Sequence, residues 1–159
     1  NLEVAMEFDK IAEENEGVAR RERLIRLREE ALRLMKILEM FHPVLVGSVW
    51  RGTIHRESDI DITVYHDGSE EIVETLKRNS LKILNAERMT VTEKGLRKAS
   101  VHINLELSMK EKVEIVVRSP EEACNKEKCD TYGDLIIGLT IPELEKLLKE
   151  NPTQRFVPS

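Results

Sequence analysis

The residues able to do chemistry are concentrated between positions 46 and 65. Gly47-Ser48 comes first, then Arg51-Gly52, then Asp59-Ile60-Asp61. An apolar residue between two aspartates, at the head of the alternating run Ile60-Asp61-Ile62-Thr63-Val64, reads as a strand. Strand side chains alternate faces, so Asp59, Asp61 and Thr63 share one face and Ile60, Ile62 and Val64 the other. The apolar face belongs to the core. The opposite face presents two carboxylates about 7 Å apart. Carboxylates that close repel unless a cation lies between them. A hard divalent ion with oxygen ligands, Mg²⁺ or Mn²⁺, is the partner this donor set suits. Upstream, Val44-Leu45-Val46 is short, apolar and β-branched, the pattern of a buried strand. Gly47 allows close backbone approach where that strand ends. A helix opening at Gly47-Ser48 offers N–H groups to a phosphate, and Arg51, one turn on, brings a forked donor set toward the same phosphates.

The pattern Gly47-Ser48, Arg51-Gly52, Asp59-Ile60-Asp61 resembles the signature of the DNA polymerase beta-like nucleotidyltransferase superfamily, with its spacing intact. The long helical stretch just before it resembles archaeal CCA-adding catalytic domains and their minimal relatives. The resemblance implies transfer of a nucleoside monophosphate from an NTP, such as ATP, to an acceptor hydroxyl, with two Mg²⁺ (or Mn²⁺) ions and release of pyrophosphate. It implies that Gly47, Ser48 and Arg51 hold the triphosphate and that Asp59 and Asp61 hold metal. In Lys112-Val113-Glu114-Ile115-Val116-Val117 the resemblance makes Glu114 the third carboxylate, where many members carry Asp. Glu106 is the rival: a tight turn places it nearly opposite Glu114 on one sheet face, and like charges there destabilise a sheet. The acceptor is left open between RNA and a protein hydroxyl. The alternative function is a non-catalytic NTP-binding or antitoxin-like regulatory module acting on a protein partner.

The elements that must position these residues follow from periodicity. Residues 2 to 15 read as a helix with a patchy apolar face that includes Phe8, Ile11 and Ala12, and Gly17 interrupts it. A second helix, from 18 to 40, aligns Leu24, Leu27, Ala31, Leu34, Met35 and Leu38. Its arginines (Arg20, Arg21, Arg23, Arg26, Arg28, Arg33) alternate with glutamates, which favours a solvated, ion-paired surface over a nucleic-acid face. Asp67-Gly68 makes a turn, and Ser69 caps a helix to Arg78. Short strand pieces follow near 82–84 and 88–92, and then a hairpin over 99–118 with its turn at 109–111. Ser119-Pro120 and the box Thr140-Ile141-Pro142-Glu143 start helices, the last running to Lys149. Residues 128 to 139 carry no clear period. The expected fold is α/β (α+β), a nucleotidyltransferase-type mixed and mostly antiparallel sheet with packed helices. One domain spans 1–159: a helical N-terminal segment (1–40), a catalytic core (41–119) and a C-terminal helical segment (120–159).

Bulk properties narrow the partners. A formal net charge of -5 over 159 residues argues against broad, non-specific nucleic-acid binding, which depends on phosphate neutralisation. No apolar run approaches the ~20 residues needed to cross a membrane, and a cytoplasmic location is expected. Cys124 and Cys129 suit a reduced pair in that compartment, with a local disulfide as the other possibility. A partner protein or a further C-terminal domain holding the acceptor is left open. Trp50 reads as packing, Tyr65 as a border of the site, and the four histidines lack metal-ligand spacing.

Overall fold

The computed structural model describes residues 1–158, apart from the side chains of residues 12, 13, 15, 16 and 93. Ala12, expected on the apolar face of the first helix, lies outside the described side chains. Five alternating segments pair into one sheet in the order β1 (Val44–Val46), β2 (Ile60–Tyr65), β5 (Lys112–Arg118), β4 (Leu96–Glu106), β3 (Lys82–Glu93). β2 and β5 are parallel and the other neighbours antiparallel. The mixed, mostly antiparallel sheet is therefore as expected. Register explains the two faces. Leu45, Ile62, Ile115 and Ile103 form one row across four strands, and all are fully buried. The alternate row runs Val46, Asp61, Glu114, Asn104, Asn85 across all five.

Helices cover the apolar face. α1 (Leu2–Ile37) is a helix broken at Gly17, whose φ of 46° and ψ of -113° leave the helical region, as its interrupting position in the sequence predicts. Leu24, Leu27, Ala31, Leu34 and Met35 of its second half are buried, as is Leu38 beyond its end. Ile72 and Leu76 of α3 (Glu70–Arg78) and Leu144 and Leu147 of α4 (Ile141–Glu150) join the same core. Truncating a fully buried leucine such as Leu27 or Leu34 to alanine costs about 2–5 kcal/mol. Among the described residues, the first half of α1 has no buried apolar side chain. Phe8 is 70% exposed there, and Val4 and Ile11 are also exposed.

Three expectations need correcting. The pieces at 82–84 and 88–92 are one twelve-residue strand, joined through a register shift between Ile83 and Asn85. Pairing with β4 along its length overrides the weak local pattern. Glu106 lies opposite Lys112, not Glu114; Asn104 faces Glu114 instead. The turn therefore sits one residue earlier than a Glu106–Glu114 register needs, and the like-charge clash does not arise. The arginines of α1 are not all solvated. Arg28 is fully buried and donates to the carbonyls of Val49, Trp50, Pro152 and Gln154. Burial without a carboxylate partner lowers its pKa to about 10. Arg20, also buried, bonds Asp9 and the Ile54 carbonyl.

Candidate active site

β1 ends at Val46, and the backbone turns at Gly47 with φ +76° into the five-residue α2 (Gly47–Arg51). A Cβ at Gly47 would collide with the Asp61 carboxylate. Glycine is thus required twice, for the left-handed φ and for the approach of Asp61. Asp61 sits opposite Val46 on one side and Glu114 on the other, on neighbouring strands. Asp59 precedes β2 by one residue rather than lying within it.

The carboxylates feel one another. Desolvation, then the Glu114 charge, then Asp59, push the Asp61 carboxyl up to about 7. Desolvation and Glu114 also raise Asp59, against the opposing pull of Lys112 and His55. Glu114 is approached by His102, whose Nδ1 lies 3.5 Å from Oε1, while Nε2 of His102 meets the Ser100 hydroxyl at 3.1 Å. Glu106 is outside this group. Its carboxylate bonds Lys112 at 2.6 Å, which holds its pKa below the usual range.

Among the described residues no three His, Cys, Asp or Glu side chains are already closed around a metal position. The donor chemistry nevertheless fits a hard divalent cation: Asp61 and Glu114 are in register, Asp59 feels the charge of Glu114 and adds its own at Asp61, and the charges that raise Asp61 are negative.

Arg51 has a different setting from the one its position suggested. Its side chain is buried, and its guanidinium bonds both Asp134 oxygens, at 3.1 and 2.5 Å, and the Phe156 carbonyl at 3.0 Å. The rings of Trp50 and Tyr132 lie at 4.6 and 4.4 Å from it. Burial works against its charge, but Asp134, and after it the Cys129 sulfur, outweigh that, and Arg51 is raised above its usual pKa. Trp50 is packing, stacked at 6.3 Å on Phe156.

Asp134 and Tyr132 belong to the stretch that showed no period. Main-chain bonds between Cys129 and Asp134 and between Glu127 and Ile136 fold it into a small hairpin, and Leu139 bonds back to Leu45. The hairpin lies against the site. The only sequence signal was Tyr132-Gly133-Asp134 itself, an aromatic, a turn residue and an acid in an otherwise unassigned segment. Cys124 and Cys129 are both free thiols, Cys124 exposed and Cys129 half-buried.

Two cavities flank the ridge formed by Gly47, Arg51 and Cys129, which line both. One, of 300 Å³, contains Asp61, Glu114, His102 and Tyr65. The other, of 780 Å³, contains Ser48.

A mixed five-stranded sheet brings the Gly47-Ser48 turn beside the register-paired carboxylates Asp61 and Glu114. The family model described as nucleotidyltransferase domain matches residues 24–137, well over half of the sequence, and the chain belongs to this family. No curated protein matches significantly. Among solved structures, one described as a cytoplasmic RNA terminal U-transferase is similar at 22% identity and a TM-score of 0.40, over 70% of this chain and 35% of that one. The GLD-2/RNP-8 complex is similar at 13% identity and a TM-score of 0.42, over 77% of this chain and 40% of that one. The chain thus spans 35–40% of the length of these structures.

Proposed function

We propose that this domain transfers a nucleoside monophosphate from an NTP to an acceptor hydroxyl, with Asp59, Asp61 and Glu114 as the metal-holding carboxylates. The observation that carries the reading is the register of Asp61 with Glu114 on parallel strands, beside a glycine whose missing side chain makes room for Asp61. A divalent cation bound there, Mg²⁺ or Mn²⁺, supplies charge neutralisation to the triphosphate and acidifies the acceptor hydroxyl. Ser48 and the Gly47 backbone hold the triphosphate. The acceptor hydroxyl gives up its proton to solvent as its oxygen bonds to the α-phosphorus, the bond to the bridging oxygen breaks, and pyrophosphate leaves with that bond's electron pair. His102 and Ser100 orient Glu114. Arg51 acts by holding the hairpin through Asp134, to which both of its terminal nitrogens donate. Catalysis of this kind is positioning and charge stabilisation.

The test is incubation with each α-labelled NTP, Mg²⁺ or Mn²⁺, total RNA and a protein extract, beside the Asp59→Ala/Asp61→Ala double variant. Label entering RNA or a protein band with the wild type alone supports the reading and identifies the acceptor class. Absence of transfer with all four NTPs refutes it.

A further inference from the structure

The larger cavity has walls that transfer chemistry alone does not explain. It is lined by Ser48, by Thr53 and Arg56 of the following loop, by Phe8 and Ile11 from α1 and by Tyr132 from the hairpin. We infer that this cavity is the nucleoside half of the NTP site, with the base held by aromatic walls that the chain itself supplies, Phe8 from the N-terminal helix and Tyr132 from the hairpin. The inference rests on the proposed transfer reading for the place of the triphosphate.

Three observations support it. The first is continuity. Gly47 and Arg51 form the ridge common to both cavities, with the carboxylates on one side and Ser48 on the other. A triphosphate at Ser48 with its α-phosphorus at the ridge leaves the carboxylate side for the acceptor and the Ser48 side for the nucleoside. The second is the exposed apolar side chains. Phe8 is 70% exposed and Ile11 is exposed too, on a half-helix whose one buried side chain among the described residues is Asp9. Large apolar side chains on such a helix are explained by a ligand surface that stacks on them. The third is size and charge. A volume of 780 Å³ lies within the about 300–1,000 Å³ typical of ligand sites. Asp9, the buried acid of the lining, is tied to Arg20 and Arg155, which removes its repulsion toward a polyphosphate.

This assigns Arg51 a purpose. With its guanidinium against one face of Tyr132 and bonded to Asp134, it is a positioning residue for that wall.

The experiment is calorimetric binding of ATP and of inorganic triphosphate, each with Mg²⁺, to the wild type, Phe8→Ala, Phe8→Trp and Val18→Ala. Val18 is on the same helix, 63% exposed, and does not line the cavity. Phe8→Ala is expected to weaken ATP about tenfold, the loss of one stacking partner, and to leave triphosphate within twofold. Phe8→Trp restores ATP binding, and Val18→Ala leaves both ligands unchanged. Tyr132→Leu weakens ATP selectively, while Tyr132→Phe does not. Unchanged ATP affinity in Phe8→Ala, or equal weakening of ATP and triphosphate, overturns the inference, as does a wild type that binds ATP no tighter than triphosphate. Selective ATP binding without transfer to any acceptor refutes the transfer reading and leaves the nucleoside cavity standing.

Discussion

Replacing Asp61 by asparagine is expected to stabilise the metal-free protein at neutral pH. The Asp61 carboxyl titrates at about 7 when folded, against 3.8 for the unperturbed group. Between those values the folded state binds more protons than the unfolded one. Stability therefore falls as pH rises from near 4, and the loss is complete above 7. The full shift corresponds to about 4 kcal/mol. Because Asp61 is only partly buried and shares the shift with Glu114 and Asp59, a screened value of about 2 kcal/mol is the working figure. Asparagine keeps the shape and removes the charge, so the variant lacks this fall. For a chain of this size about 2 kcal/mol is a rise of roughly 4–8 °C in Tm. The assay is thermal unfolding in EDTA from pH 4 to 8, repeated with Mg²⁺. The two proteins should melt together near pH 4 and diverge progressively toward pH 8, where the variant melts higher. Mg²⁺ should raise the Tm of the wild type at pH 8 and leave the variant unchanged. A variant that melts at or below the wild type at pH 8 in EDTA refutes the assignment of Asp61 as a carboxylate strained by its neighbours.

Glu114→Gln should reduce transfer at least 100-fold in a labelled-NTP assay, while Glu106→Gln, whose parent pairs with Lys112, should change it less than threefold; equal losses refute the register argument. Arg28→Met should lower stability by about 3–5 kcal/mol in urea unfolding, because four carbonyls lose their buried donor; a loss below 1 kcal/mol shows that water replaces the guanidinium. Asp134→Asn should weaken the clamp on Arg51 and expose the hairpin to limited proteolysis before the sheet; an unchanged cleavage pattern refutes the clamp. Gly47→Ala should cost transfer activity far more than stability measurements of remote variants do, because the new Cβ meets the Asp61 carboxylate; unchanged activity refutes the close-approach requirement.

Much of this was legible locally. The alternation of Ile60, Ile62 and Val64 with Asp61 and Thr63 states which face is buried, because a strand has period two whatever it pairs with. The stripe from Leu24 to Leu38 and the cap at Thr140 are equally local. Gly47-Ser48 with Asp59 and Asp61 pointed to the candidate site because a hydroxyl and paired acids carry their chemistry in their own side chains and glycine carries its in the lack of one.

What the tertiary structure decided are the partners. Whether Glu106 or Asn104 faces Glu114 depends on a hairpin register, and a slip there changes every cross-strand neighbour. Arg51 has the same forked donors in any context, yet its acceptor, Asp134, is 83 residues away, and no local pattern selects it. Arg28 reads as one more surface cation in a charged helix until the chain returns, more than 120 residues later, to place Pro152 and Gln154 over it. Composition and periodicity fix which residues are able to bind, bury or pair. Which of them meet is set by long-range packing, because the free energy that selects a partner comes from contacts the chain makes only once it has folded.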